Sequence, residues 1–132
     1  MFRLIYLSTP KPEVGKPDID QILASSRKNN RFNNITGLLI QDKKRFLQYL
    51  EGDQKAVEET FNRIASDPRH TAVFMVKSGF VVRRQFPKWT MASKNAERSN
   101  SLVAAVSEMT KACDKDVADE LLSFAAARDR AA

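Results

Sequence analysis

A chain of 132 residues allows one domain with one core, which needs neither a disulfide nor a metal to hold it. The single cysteine, Cys113, excludes an intramolecular disulfide, and no apolar run approaches the roughly 18 residues of a membrane span. The net charge of +6 comes from scattered basic residues, with small clusters at Arg27-Lys28, Lys43-Arg45 and Arg83-Arg84, and reads as solvated surface. The apolar start at Phe2 is too short for a signal peptide, so the expected compartment is the cytoplasm.

Phe2 to Leu7 is rich in strand formers. Alternation puts Phe2, Leu4 and Tyr6 on one face and Arg3, Ile5 and Leu7 on the other. Pro10, Pro12, Gly15 and Pro17 mark a loop. Asp18 to Asn29 predicts a helix with Ile19, Ile22, Leu23 and Ser26 on its buried stripe, ended by the Asn-rich stretch 29–34. Ile35 to Gln41 and Arg45 to Glu51 form a hairpin across the turn at 42–44. Asp53 caps a second helix running to about Ser66, with Val57, Phe61 and Ile64 inward and Asp67-Pro68 as the stop.

Val73 to Val82 predicts a long strand with Gly79 as a bulge, and Trp89 to Met91 a short last strand, where an edge position suits Pro87. The order β-α-β-β-α-β-β is the split βαβ, ferredoxin-like α+β arrangement with one added strand. Its two helices cover one face of the sheet. The strands are apolar on both faces, Leu38 and Ile40 against Leu39 for instance, so the other face must be covered too. Leu102, Val106, Met109 and Cys113, then Val117, Leu121 and Phe124, predict two C-terminal helices packed there, with Arg128 to Ala132 frayed. Residues 1–93 are expected to form the main domain and 94–132 a helical extension.

No metal signature, phosphate loop or nucleophile elbow occurs, and His70 stands as the lone histidine. Polar residues do fall on a face that should be buried. Tyr6 lies in the first strand, Gln48 shares a face with Phe46 and Leu50, and Asn30 ends the first helix. A buried Gln has donors and acceptors to satisfy. Either a polar ligand between the helices or a bond to Tyr6 and backbone would do it.

Six blocks in order then resemble the BLUF family of flavin-binding blue-light sensors: Leu4 to Ser8, Ser26 to Asn30, Ile35 to Leu39, Arg45 to Gly52, Asp67 to His70, and Phe86 to Met91. The resemblance implies a photoreceptor rather than an enzyme. It implies FAD, with FMN or riboflavin as options, lying between the two helices. Asn30 would bond the ring edge with Asn29 and Ser26 nearby, and Ile22 and Ile64 would sandwich the ring. Arg63, Asp67 and His70 would lie near the opposite edge and the ribityl chain, with Arg27, Lys28 and Arg31 near the phosphates.

Tyr6 and Gln48 would be the photoactive pair. The phenol donates an electron and proton, the amide rotates or tautomerises, and absorption shifts to longer wavelength. Trp89 and Met91 would relay the change from the last strand, near Gln48, and Ser8 would support the region. With no catalytic domain expected, output would pass by contact with a downstream protein or by a change of homo-oligomer, through the C-terminal helices. No nucleic-acid or membrane partner is expected. An RNA-recognition module on the same topology is the alternative, but Phe46 and Tyr49 are three apart and point to opposite faces. An acylphosphatase-like enzyme is a more distant one, disfavoured by the prolines between Thr9 and Lys16.

Overall fold

Which side of the sheet each side chain occupies follows from the alternation of the first strand, and the computed structural model, which describes residues 1–11, 15–41, 45–68, 70–89, 92–95 and 102–131, shows both sides filled. Strand β1 (Phe2–Pro10) sits between β3 (Phe46–Gly52) and β4 (His70–Phe80), antiparallel to both. Strand β2 (Thr36–Gln41) pairs antiparallel with β3 as the expected hairpin, whose turn at 42–44 lies outside the described residues. A short β5 (Ala92–Asn95) joins β2 in parallel, and the order is β4-β1-β3-β2-β5. Four antiparallel strands in the ferredoxin-like order therefore carry one added edge strand.

On the front face, Phe2, Leu4, Tyr6, Leu39, Phe46 and Leu50 pack under α1 (Lys16–Phe32) and α2 (Gln54–Ala65), through Leu23 of α1 and Val57, Phe61 and Ile64 of α2. On the back face, Ile5, Leu38, Ile40, Leu47 and Tyr49 share one core with α3 (Leu102–Met109) and α4 (Lys115–Ala131), through Leu102, Val106, Val117, Leu121 and Ala125. The side chains on each face match the expected parity. At about 25 cal/mol per Å² of apolar surface, neither face of such a sheet could be left wet.

Several boundaries differ from the sequence reading. Helix α1 begins earlier and runs to Phe32, so Asn29 and Asn30 lie inside it. It ends in a Schellman motif: Asn34 takes φ 55°, its N–H reaches the Arg31 carbonyl at 3.4 Å, and the Ile35 N–H reaches the Asn30 carbonyl at 2.8 Å. Asn is the side-chain-bearing residue best suited to that left-handed position. Asp53 caps α2 as expected, accepting from the Ala56 N–H.

Gly79 stays in register opposite Arg3, and the pairing shifts instead between Ile5 and Tyr6, at Val76, and again between Leu7 and Thr9. The last strand is not 89–91: Trp89 and Pro87 lie in the turn before β5, and Met91 is outside the described residues. Where fraying is expected from Arg128, α4 continues to Ala131, and Ala132 lies outside the described residues. Cys113 lies beyond α3, in the connection to α4.

Gly37 marks the tightest approach. A Cβ there would sit 2.1 Å from the carbonyl oxygen of Tyr49, a backbone atom that cannot swing away, and the Gly37 N–H donates to the Trp89 carbonyl at 2.9 Å. Gly37→Ala is therefore expected to cost about 3 kcal/mol or more, the upper end for overpacking. Urea denaturation of the two proteins checks this, and an unchanged midpoint at equal slope would refute the close-approach account.

Candidate functional site

Register and burial bring one pair of polar side chains together under the helices. Tyr6 of β1 lies directly opposite Gln48 of β3, on the front face. Side chains in such a pair stand about 5 Å apart at Cβ. Tyr6 is 1 % exposed and Gln48 5 %. The Tyr6 ring meets the Phe61 ring edge to face, centroids 5.4 Å apart, which fixes its plane. Burial alone holds the Tyr6 proton on, well above the usual phenol range.

Above this pair a cleft of about 140 Å³ opens between α1 and α2. Ile22, Ser25, Ser26, Asn29 and Asn30 line it from α1, and Thr60, Arg63, Ile64 and Asp67 from α2 and its end. Gln48 forms its floor. A narrower hollow beneath shares Ile22, Ser26, Gln48 and Ile64, and reaches Tyr6, Leu39 and Phe46. Aliphatic side chains from opposite helices thus line a slot whose floor and rim carry amides and hydroxyls. Asn30, at 1 % exposed, is held by the helix end: its own carbonyl takes the Ile35 N–H. The extension of α1 past Asn29 is what points Asn30 from a regular helical turn.

This donor set fits a flat heteroaromatic group with apolar faces and a hydrogen-bonding edge, the chemistry of a flavin ring. Ser25, Thr60, Leu39 and Phe46 were not singled out from sequence. Thr60 had a signal, because it falls three residues after Val57 and four before Ile64, a polar residue on an apolar stripe.

Other expected members lie elsewhere. Ser8 is buried opposite Phe46 but does not line the cleft. Arg27, Lys28 and Arg31 are exposed on α1, outside the lining. His70 opens β4 opposite Pro10, and its side chain lies outside what the structure describes, as does Met91. Trp89 does not line the cleft above Gln48; it is stacked on Phe86, centroids 5.4 Å apart and planes 14° apart. Phe86 belongs to the back-face core, and the two rings line an apolar pocket of about 240 Å³ with Met109, Ala112 and Cys113. Burial pushes the Cys113 thiol up to about 11, so it is a neutral wall of that pocket at ordinary pH.

The back face has its own polar centre. Glu51, 0 % exposed, accepts from Thr36 Oγ1 at 2.9 Å, Tyr49 Oη at 3.3 Å, and the backbone N–H groups of Gln85 at 2.7 Å and Phe86 at 2.6 Å. Arg84 donates to the same Thr36 hydroxyl at 2.7 Å. Burial, with Glu51 beside it, also raises the Tyr49 phenol above the usual range. Among the described residues, no group of histidine, cysteine and acidic side chains could hold a metal, and no helix is long and apolar enough to cross a membrane.

A family model described as sensors of blue-light using FAD matches residues 1–92. The photoactivated adenylate cyclase subunit beta of Euglena gracilis is 34 % identical over 71 % of this chain, which spans only 11 % of that relative's length. The blue light- and temperature-regulated antirepressor BluF of Escherichia coli (strain K12) is 26 % identical over 92 % of this chain and 31 % of its own. The dark-state structure of BlrB, a BLUF protein, superimposes with a TM-score of 0.75 at 29 % identity, covering 96 % of each chain.

The two phenols give a titration test, since the chain has two tyrosines and both resist ionisation when folded. Unfolded, each ionises near pH 10. Folding is therefore fully supported below that pH, and the support is lost as pH rises above it, because the unfolded chain releases protons that the folded one keeps. Ultraviolet absorption is expected to show no phenolate while circular dichroism stays native, then a rise coincident with unfolding. A phenolate band appearing near pH 10 in the folded protein would show a wet tyrosine.

Proposed function

The chain belongs to the BLUF family, the sensors of blue light using FAD, and from that premise we propose that the α1–α2 cleft receives the flavin and that Tyr6 and Gln48 are its photoactive pair. As a family member it is a blue-light flavin sensor. The observation that supports this site is the Tyr6–Gln48 cross-strand pair, buried at the floor of a slot that Ile22 and Ile64 line from opposite helices.

Ile22 and Ile64 would hold the ring's faces, Asn30, Asn29, Ser26 and Gln48 its hydrogen-bonding edge, and Arg63 and Asp67 the far end. His70 and the exposed Arg27, Lys28 and Arg31 are the remaining candidates for the chain beyond the ring. FAD is the flavin we assign; FMN or riboflavin would use the same ring contacts. When bound, a flavin supplies blue-light absorption and an excited state able to oxidise a phenol.

The protein's part is to define two hydrogen-bonded states of the same composition. Tyr6 enters as the neutral phenol, because its site gives no counter-charge to a phenolate. Its Oη holds one proton and can donate or accept. Gln48 presents Oε1 as acceptor and Nε2 as donor at one end of one side chain. A half-turn of the carboxamide exchanges them without moving the backbone, so the pair reverses its polarity at fixed packing. Leucine fills the volume of Gln48 and offers neither group. Ser8, buried two residues from Tyr6 on β1, supports that end of the strand.

Output is proposed to pass by protein contact or by a change of homo-oligomer, with no reaction catalysed by this chain. Similarity to a relative named as an antirepressor extends over 92 % of the chain, which supports a contact mechanism. The RNA-binding alternative is not supported: Phe46 lies in the front core and Tyr49 in the back core, so the third strand presents no aromatic platform to solvent.

The test is the absorption spectrum of flavin-loaded protein before and after blue light. Wild type is expected to shift to longer wavelength and recover in the dark, and Gln48→Leu to bind flavin with no shift. A Gln48→Leu protein that still shifts would remove Gln48 from the mechanism, and a wild type that does not take up flavin would remove the site.

A further inference from the structure

Gln48 and Tyr49 are consecutive residues on opposite faces of β3, so the floor of the front cleft lies one peptide unit from the back core. The Tyr49 ring packs edge to face on Phe86, centroids 5.1 Å apart, and its hydroxyl donates to Glu51. Glu51 in turn takes the backbone N–H groups of Gln85 and Phe86. Residues 85 and 86 are thereby fixed to β3 although they belong to the connection after β4.

Gln85 then reaches α4. Its Oε1 accepts the Asp114 N–H at 2.8 Å, and its Nε2 donates to Asp114 Oδ2 at 2.9 Å and to the Arg83 carbonyl at 2.9 Å. Arg83 closes the ring with Nε and Nη2 on Asp114 Oδ1, at 3.1 and 2.6 Å. The Asp114 carbonyl accepts the Ala118 N–H, so Asp114 starts the helix. Farther along α4, Glu120 pairs with Arg3 at 3.0 Å, and Arg3 lies beside Glu51 in the sheet. Helix α4 is therefore held to the same row of the sheet at Asp114, the residue just before its start, and again near its second turn.

The two ends of this chain of bonds differ in how readily they open. Glu51 is dry, and losing a donor there would leave a buried carboxylate short of partners. Gln85 is itself buried, at 3 % exposed, but Asp114 is partly exposed, so along this path water can reach the bonds only from the Asp114 side. A displacement of β3 is thus conserved through Glu51 and released between Gln85 and Asp114. The structure holds that pair closed, and it is the place on the path where a second, hydrated arrangement would give the two states a coupling mechanism requires.

We propose that Gln85 is a positioning residue of the light response: carried on β3 by Glu51, it transmits a change at Gln48 to the first turn of α4 by opening its paired hydrogen bonds to Asp114. This rests on the light-sensor reading above and extends it to the output helix. Light bends the balance toward the hydrated arrangement, and the start of α4 becomes available to a partner.

Amide hydrogen exchange of the flavin-loaded full chain, dark against continuous blue light, tests it. In wild type, exchange of the Asp114 amide and of residues 115–118 is expected to rise on the order of tenfold in light, the scale of an ordinary coupling between sites. Gln85→Ala is expected to keep the flavin's red shift yet exchange fast in both conditions, with no light-dependent difference. Asp114→Ala, at the exposed side of the pair, is expected to behave likewise and serves if the first variant does not fold. A normal red shift in wild type with light-independent exchange at α4 overturns this inference and leaves the sensor reading intact. A light difference that survives in the variants also overturns it. A wild type that binds flavin and shows no red shift overturns the sensor reading and, with it, this inference.

Discussion

A carboxylate with no access to water organises the back of this molecule. Moving Glu51 out of solvent costs roughly several kcal/mol, and the cost is offset only if its lone pairs are filled. Charge-assisted bonds of about 1.5–3 kcal/mol each are the means, and here they come from Thr36 on β2, Tyr49 on β3 and two backbone amides at Gln85 and Phe86. Those last two decide the course of the chain after β4. The connection cannot wander over the sheet's end, because two successive N–H groups must point at one buried carboxylate. That places Phe86 against Tyr49 and, through the 86–89 turn, sets the Trp89 carbonyl on Gly37.

The sheet separates two chemistries by parity. Its front carries a neutral phenol and a neutral amide, Tyr6 and Gln48, side by side in a site dry enough to keep the phenol protonated. Its back carries charge, with Arg3, Glu51 and Thr36 in one cross-strand row. A charge on the front would bias the Tyr6–Gln48 pair toward one of its hydrogen-bonded states. On the proposed reading, a pair that is itself neutral would leave its two hydrogen-bonded states closer in energy than a charged one, as a switch needs. Charge is useful on the back, where the requirement is fixed attachment of the 85–86 segment and of α4.

Much of this was legible in the residues because β-strand parity is a period of two with little slack. Leu38, Leu39 and Ile40 could be assigned to faces, the two covering layers followed, and Gln48 stood out on a face otherwise apolar. The misses have physical causes. Helix α1 outran its Asn-rich end because Asn34 alone, through its left-handed backbone, completes the termination, and Asn29 and Asn30 do not. Strand β5, Ala-Ser-Lys-Asn, has almost no strand propensity and exists because β2 offers a free edge. The bulge at Val76 and the stacking of Trp89 on Phe86 depend on partners distant in sequence. Glu51 could have been found: it continues the back-face series Leu47, Tyr49, and a charge at such a position demands an account.

The same geometry shows what the helices after residue 101 contribute to the sheet, and on the proposed reading to its function. A sheet covered on one face only would let water reach Tyr49, Glu51 and the 85–86 amides, and each hydrogen bond there would become an exchange with solvent of little net strength. With Leu102, Val106, Val117 and Leu121 in place, the back is dry, Glu51 keeps its donors, and β3 is a stiff member shared by two compartments. On the proposed mechanism the side-chain rotation at Gln48 is small, and a wet, compliant support would absorb it. That reading asks for stiffness at β3 and softness at the start of α4. The burial of Glu51 and the partial exposure of Asp114 are consistent with both.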